Sequence, residues 1–229
     1  EPGSAEIGRD AGLMAGVAEQ SVALQYDLQP AFQVLIDFTV PAATMAHLDF
    51  CVQNRLAMVI GTTGLEPEQL DSLQQAATQI PVCFAANYST GVTLCLALAR
   101  QAARVLAADS DIEIYEAHHK HKVDAPSGTA LALGNAVADE LGWNPQTAFV
   151  MDRKGITGPR QGNSIGFSVF RGGDVVGDHT LTFAAEGERV EITHKASSRQ
   201  SFARGALRAA HWIVQQPAGL YSMSDVLGI

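Results

Sequence analysis

Residues 32–64 of this 229-residue chain, FQVLIDFTVPAATMAHLDFCVQNRLAMVIGTTG, decide the fold. An apolar run comes first, and Pro41 then opens a helical segment, since proline is tolerated in the first turn of a helix. A second apolar run follows and ends at Gly61. Apolar strands joined by a helix predict a parallel sheet that is covered on both faces. The residues expected on the buried face of the helix are Ala43, His47, Phe50 and Cys51.

The pattern continues on the C-terminal side of this stretch. Residues 66–78 predict a second helix, and residues 80–89 predict a third strand. From about Asp111 the chain alternates apolar and polar residues in several runs that Gly-rich turns separate, which predicts an open, mixed sheet. We therefore predict an α/β protein in which a parallel-sheet part is followed by an α+β part.

Composition narrows the class of protein. The net charge of −9 argues against a nucleic-acid or anionic-membrane partner, which usually requires a basic surface. The three cysteines lie in apolar surroundings, as expected for reduced thiols of a cytoplasmic protein. No apolar run approaches 18 residues, and no signal peptide is visible, so we expect no membrane span.

Two segments of small residues follow predicted strands, where parallel sheets bind their ligands. Gly61, Thr62 and Thr63 follow the second strand, and the missing Cβ of a glycine lets backbone N–H groups approach a cofactor. Residues 85–88, AANY, follow the third strand, and the Asn87 amide could hold the carboxamide of a nicotinamide. An ordinary strand–helix turn accounts for either segment taken alone.

A basic cluster, HHKHK at residues 118–122, stands out in this acidic chain. It is followed by DAPSGT at residues 124–129, in which Ser127 is a good N-cap for a helix that runs to about Leu141 and ends at Gly142. The free N–H groups at this helix N-terminus favour an anion. Histidine and lysine nearby can donate protons. The stretch therefore predicts a site for a small carboxylate substrate with acid catalysts beside it.

Two alternatives remain open for the cluster. Its three histidines could bind a transition metal, although adjacent lysines repel a cation and no carboxylate or cysteine pair completes a ligand set. It could also be a solvated basic loop without a role. A second polar cluster, HKASSR at residues 194–199, follows the last predicted strand and is a candidate to complete the pocket.

The sequence EAHHKHKVDAPSGTA closely resembles the signature of the 4-hydroxy-tetrahydrodipicolinate reductase (dihydrodipicolinate reductase) family. The segments IDFT, VIGTTG, FAANYSTGV, IGFSVFRGGDVVGDHT and EITHKASSR are similar to that family in the same order. The resemblance implies NADPH- or NADH-dependent reduction of 4-hydroxy-tetrahydrodipicolinate to tetrahydrodipicolinate, with loss of water, in lysine and diaminopimelate biosynthesis. It also implies a homotetramer whose further partner is a small cyclic dicarboxylate.

The resemblance also implies domains and residue roles. A Rossmann-type dinucleotide-binding domain would comprise residues 1–88 and 200–229, and a substrate-binding and oligomerisation domain with a mixed sheet would comprise residues 89–199. His118 matches the general acid and Lys122 the second proton donor. The substrate contacts implied by the family are His119, Gly128 and Thr129. The implied cofactor contacts are Gly61, Thr62, Thr63, Ala85, Ala86, Asn87 and Tyr88.

One part of the family pattern is missing. A dinucleotide fold is expected to open with a strand and G-x-G-x-x-G, and this motif occurs nowhere in the chain. The Rossmann-type domain is therefore expected to be truncated at its N-terminal strand–helix–strand start. This leaves a second hypothesis, an inactive fragment that oligomerises and binds dicarboxylate but no dinucleotide. A metal-dependent hydrolase is a third and poorer fit.

Overall fold

The computed structural model describes residues 3–229, in two compact units that divide between Gln33 and Val34. The first unit contains a short helix, α1 (Ala11–Met14). The Asp10 carboxylate holds this unit's loop together, because it accepts backbone N–H bonds from Leu13, Gln20 and Val22. These hydrogen bonds lower the pKa of Asp10, and the bond from Gln20 contributes most.

The second unit contains two sheets and the helices that pack on them. In chain order its elements are β1 (Val34–Asp37), α2 (Pro41–Asn54), β2 (Ala57–Ile60), α3 (Pro67–Ala77), β3 (Pro81–Phe84), α4 (Thr90–Leu106), β4 (Asp111–His118), α5 (Gly128–Leu141), α6 (Pro145–Ala148), β5 (Phe149–Val150), β6 (Ile165–Arg171), β7 (Gly177–Ala185), β8 (Glu188–Ala196), α7 (Gln200–Ile213), β9 (Gly219–Tyr221) and α8 (Met223–Leu227).

The first sheet is parallel, with strand order β1-β2-β3-β9. Successive residues of β2 pack on opposite faces, so that Met58 and Ile60 lie in a core with α2 and α3, while Ala57 and Val59 lie in a core with α7 and α8. The continuous apolar runs of the sequence follow from this double burial, which confirms the predicted parallel sheet. Strand β9 adds to it from the far end of the chain.

Helix α2 has the predicted extent, but the prediction of its buried face was only partly right. The fully buried residues are Thr44, Leu48 and Cys51, whereas His47 and Phe50 are half-buried. Small and apolar residues occur all round this helix, so periodicity alone does not determine which side faces the sheet.

The second sheet is mixed, with strand order β5-β6-β4-β7-β8. Strand β4 pairs in parallel with β6 and antiparallel with β7. Helices α4 and α5 cover one face, where Ile112, Ile114 and Leu181 form the core with Leu133. In the part of the chain from residue 3 onward, no helix is long and apolar enough to cross a membrane.

Candidate active site

One cavity of about 580 Å³ brings the predicted cofactor and substrate segments together. Thr63 and residues 85–87 line it from the carboxyl ends of β2 and β3. His118 and Lys122 line it from the end of β4, and Ser127 to Thr129 line it from the start of α5. Because the cavity joins the two sheets, a cofactor on the first sheet and a substrate on the second would meet inside it.

The N-terminus of α5 is open towards this cavity. As predicted, Ser127 caps the helix, since its Oγ accepts from the N–H of Ala130 at 3.2 Å, and the helix ends with Gly142 in a left-handed conformation. Within residues 3–229, the N–H groups of Gly128 and Thr129 donate to no protein acceptor. They are therefore free to bind an anion, and the helix dipole favours one there.

Asn87 connects this helix to the end of β3. Its Oδ1 accepts from the N–H of Ser89 at 2.8 Å, which fixes the orientation of the amide, and its Nδ2 donates to Oγ1 of Thr129 at 3.3 Å. Because Oγ1 of Thr129 accepts from Asn87, the Thr129 hydroxyl proton is left to donate elsewhere. The second N–H of the Asn87 amide is also available as a donor.

His118 lies at the end of β4 and is 9% exposed. Its Nδ1 lies 2.6 Å from Oε2 of Glu116, and its ring makes an edge contact with His179 at a centroid distance of 5.1 Å. No hydrogen bond to Nε2 occurs within residues 3–229, so this nitrogen can bond a ligand. Glu116 therefore holds the imidazole through Nδ1, whereas Nε2 has no hydrogen-bond partner in the described part of the chain.

Lys122 reaches the same cavity from the loop after β4. Its Nζ donates to both carboxylate oxygens of Asp124, at 2.7 and 2.9 Å. The hydrogen bond from Lys122 is the main cause of the lowered pKa of Asp124. The ammonium is thus held near the cavity by a partner that is itself exposed.

Four residues that were predicted to contact the substrate or the cofactor, Gly61 among them, do not line this cavity. His119 instead lines a neighbouring cavity of about 810 Å³ together with His121 and Arg199. The buried Oγ1 of Thr62 accepts from the N–H of Thr39. The Tyr88 ring is 1% exposed, and its hydroxyl bonds the carbonyl oxygens of Ile60 and Cys83. The side chains of Thr62 and Tyr88 are therefore part of the scaffold, and their cofactor contacts stay a prediction for the backbone.

Several residues that shape the site were not among those predicted from the sequence. Glu116 lies under His118, with Arg171 paired to it, and His179 bonds Oγ of Ser127 through Nε2 at 2.8 Å. Burial, with a smaller contribution from the charge of His118, lowers the pKa of His179 to about 4, so its imidazole is neutral. Residues 222–224, at the start of α8, also line the cavity. Residues 3–229 contain no group of three His, Cys, Asp or Glu side chains arranged to hold a metal ion.

A parallel sheet with open loops at its carboxyl edge, beside a helix N-terminus with free N–H groups and possible proton donors, is the arrangement of an α/β enzyme that binds an anionic ligand. Two family models match the chain, "Dihydrodipicolinate reductase, N-terminus" at residues 1–88 and "Dihydrodipicolinate reductase, C-terminus" at residues 91–227. The chain belongs to the dihydrodipicolinate reductase family, whose enzymes use a nicotinamide dinucleotide.

Relatives and solved structures agree with this family. The chain is 53% identical to 4-hydroxy-tetrahydrodipicolinate reductase from Saccharophagus degradans and 54% identical to that from Pseudomonas fluorescens strain Pf0-1. Each alignment covers 100% of this chain and 86% of the relative. A dipicolinate-bound dihydrodipicolinate reductase from Paenisporosarcina sp. TG-14 superposes with a TM-score of 0.73 at 26% identity, over 90% of this chain and 79% of that one.

Proposed function

We propose that this reductase converts 4-hydroxy-tetrahydrodipicolinate to tetrahydrodipicolinate in lysine and diaminopimelate biosynthesis, with NADPH or NADH and in the cytoplasm. The observation that carries the proposal is the single cavity between the two sheets. It brings the loop after β3 within hydrogen-bonding distance of the α5 N-terminus, through Asn87 and Thr129. A dinucleotide and a dicarboxylate need such a shared space for hydride transfer.

The residues around the first sheet fit a nicotinamide. Thr63, Ala85 and Ala86 are small and leave the cavity open. Gly61 does not line the cavity, because the Phe38 ring packs where its Cβ would be, so its cofactor contact stays a prediction. Asn87 has a free amide N–H for the carboxamide oxygen. The hydroxyl and one neighbouring ring hydrogen would leave together as water. When bound, the nicotinamide would supply a hydride to the resulting double bond, and an enzyme acid would supply one proton to its other carbon.

The residues around the second sheet fit a dicarboxylate. The N–H groups of Gly128 and Thr129 and the Thr129 hydroxyl would bind one carboxylate at the helix N-terminus. Lys122 would neutralise charge on the substrate and act as the second proton donor. His118, which lines the cavity, would give the ring its proton from Nε2, the nitrogen without a protein partner within residues 3–229. His119 would bind the substrate from the neighbouring cavity.

We also propose the division into a dinucleotide-binding part, residues 1–88 and 200–229, and a substrate-binding part, residues 89–199. The pairing of β9 with β3 and the packing of α7 on the parallel sheet support it. The outer face of the mixed sheet, with Tyr115 45% and Phe170 47% exposed, is the surface we propose for homotetramer formation. Sedimentation equilibrium tests that assembly, and a monomer would contradict it.

Calorimetric titration of the purified protein tests the proposal against the inactive fragment. We expect micromolar binding of NADPH or NADH, and binding of dipicolinate that is tighter when the dinucleotide is present. Dipicolinate binding without any binding of NADPH or NADH would favour the fragment that only oligomerises and holds dicarboxylate. Failure to bind dipicolinate at all would overturn the assignment of the cavity.

A further inference from the structure

Glu116 is a fully buried carboxylate directly behind the proposed acid. It is 0% exposed and lies two residues before His118 on β4, so the two side chains point to the same face of the strand. A buried carboxylate is costly unless hydrogen bonds and opposite charge compensate it. The groups that donate hydrogen bonds to Glu116 therefore indicate its role.

All the acceptor positions of Glu116 are filled. Oε1 accepts from Nη2 of Arg171 at 2.7 Å and from the N–H of Ser127 at 3.0 Å. Oε2 accepts from Nη1 of Arg171 at 2.7 Å and from Nδ1 of His118 at 2.6 Å. Burial raises the pKa of Glu116, but the hydrogen bonds from Arg171, His118 and Ser127 outweigh it, so the net pKa is lowered and the group is an anion.

The charge state of Glu116 fixes the proton on the neighbouring imidazole. An ionised carboxylate only accepts hydrogen bonds, so Nδ1 of His118 must carry a proton in both the neutral and the charged ring. The proton that the ring gains and loses is then the one on Nε2, the nitrogen with no protein partner within residues 3–229. Carboxylate–histidine pairs fix both the tautomer and the ring orientation in this way.

Arg171 extends this arrangement to the second donor. Besides its two bonds to Glu116, its Nη2 donates to the carbonyl oxygen of Asp124 at 2.7 Å. The Asp124 carboxylate in turn holds Lys122, and Glu116 holds the N–H of Ser127 at the start of α5. One buried ion pair thus connects the acid, the lysine loop and the anion-binding helix.

We infer that Glu116, clamped by Arg171, is a positioning residue that holds His118 with Nδ1 protonated and with Nε2 presented to the substrate. The inference rests on the proposed function, because it requires His118 to be the proton donor. It adds that this donor works only in the orientation and tautomer that Glu116 imposes. Glu116 itself does not touch the substrate.

The main test is a double-mutant cycle on kcat with Glu116→Gln and His118→Gln. Glutamine keeps the volume but replaces one acceptor oxygen by NH₂, so two of the four N–H donors lose their acceptor. Because Glu116 acts through His118, we expect Glu116→Gln to lower kcat about 10- to 100-fold, as loss of an orienting partner does, with a smaller change in KM. In a His118→Gln background it should then lower kcat no further.

Two further variants separate positioning from folding. Glu116→Asp keeps the charge for Arg171 but withdraws it from His118, and it should fold while still lowering kcat. Glu140→Gln is the matched control, because Glu140 is likewise paired with an arginine, Arg104, but lies at the end of α5 away from the cavity. It should leave kcat unchanged.

A spectroscopic readout is independent of activity. In protein labelled with ¹⁵N-histidine, the neutral His118 ring should be the Nδ1–H tautomer, and Glu116→Gln should populate the Nε2–H tautomer. The inference would be overturned if Glu116→Gln lowered kcat by the same factor in the original protein and in the His118→Gln variant. An Nε2–H tautomer of His118 in the unchanged protein would also overturn it. If His118→Gln itself were fully active, the proposed function of that residue would fail instead.

Discussion

The amide of Asn87 donates to Oγ1 of Thr129 at 3.3 Å and so joins the carboxyl end of β3 to the N-terminus of α5. Forty-two residues separate the two side chains in the chain. The bond leaves Thr129 with a proton to donate, and it places the proposed nicotinamide contact next to the proposed carboxylate contact. We expect the relative placement of the proposed cofactor and substrate to depend on this contact.

Asn87→Asp should therefore impair substrate binding. The new carboxylate would accept the Thr129 proton and repel the carboxylate of the substrate. Losing a hydrogen bond to a charged group costs about 1.5–3 kcal/mol, so we expect KM for the dicarboxylate to rise about 10- to 100-fold, with a smaller change in kcat. Steady-state kinetics measure both constants.

Asn144→Asp is the matched control for this change. Asn144 likewise accepts the N–H of the residue two positions on, Gln146, but it is exposed at the start of α6. Aspartate serves equally well at such a cap, so its kinetics should not change. Equal KM values for the two variants would show that the Asn87–Thr129 contact is irrelevant to binding.

Gly205→Ala should destabilise the protein. Gly205 lies where α7 crosses the backbone of Tyr88, and a Cβ there would overlap the Tyr88 carbonyl oxygen. Neither backbone can yield without moving a helix or the loop after β3, so we expect the free energy of unfolding to fall by about 1–3 kcal/mol or more.

Denaturant unfolding measures this loss. Gly162→Ala is the control, because a Cβ at Gly162 meets no atom within 4 Å, and its effect should stay within about 0.5 kcal/mol. The account of α7 packing would be wrong if the two alanine variants were equally stable.

His179 should make stability depend on pH. Its folded pKa of about 4 lies below the ordinary 6.5, first because it is buried and then because of the charge of His118, while Glu116 opposes the shift. Between pH 6.5 and pH 4, His179 binds a proton in the unfolded chain but not in the folded protein. The free energy of unfolding therefore falls as the pH drops through this range, by up to about 3 kcal/mol. Above pH 6.5 the contribution is constant.

Unfolding at pH 7 and pH 4.5 tests this dependence. His179→Gln removes the titrating group, so the loss of stability between the two pH values should be about 2–3 kcal/mol smaller than in the unchanged protein. His211→Gln, at an exposed position in α7, should leave the loss as it was. Identical pH dependence in all three proteins would contradict the assignment.

Local signals explain why much of the fold followed from the sequence. Ser127 and Gly142 mark both ends of α5 by their own capping chemistry, and Pro41 marks the start of α2. The buried faces of β2 and β3 follow from their apolar runs. The predicted mixed sheet was confirmed for the same reason, since alternation along a strand is a local property.

The rest depends on contacts between distant parts of the chain. Strand β9 joins β3 across more than a hundred residues, and Arg171 reaches Glu116 over 55 positions. One signal for Glu116 was present: alternation in β4 places it on the same face as Ile112 and Ile114, where a charge needs a partner. Only the tertiary structure shows which arginine supplies that partner and that residues 222–224 line the cavity.

The central claim is that His118 gives the substrate its proton from inside the cavity between the two sheets. The most direct measurement is kcat for 4-hydroxy-tetrahydrodipicolinate reduction by His118→Gln and by its control His211→Gln, an exposed histidine in α7. We expect His118→Gln to lower kcat about 10²- to 10⁴-fold with dipicolinate binding retained, and His211→Gln to keep the original kcat. Unchanged turnover in His118→Gln would contradict the account.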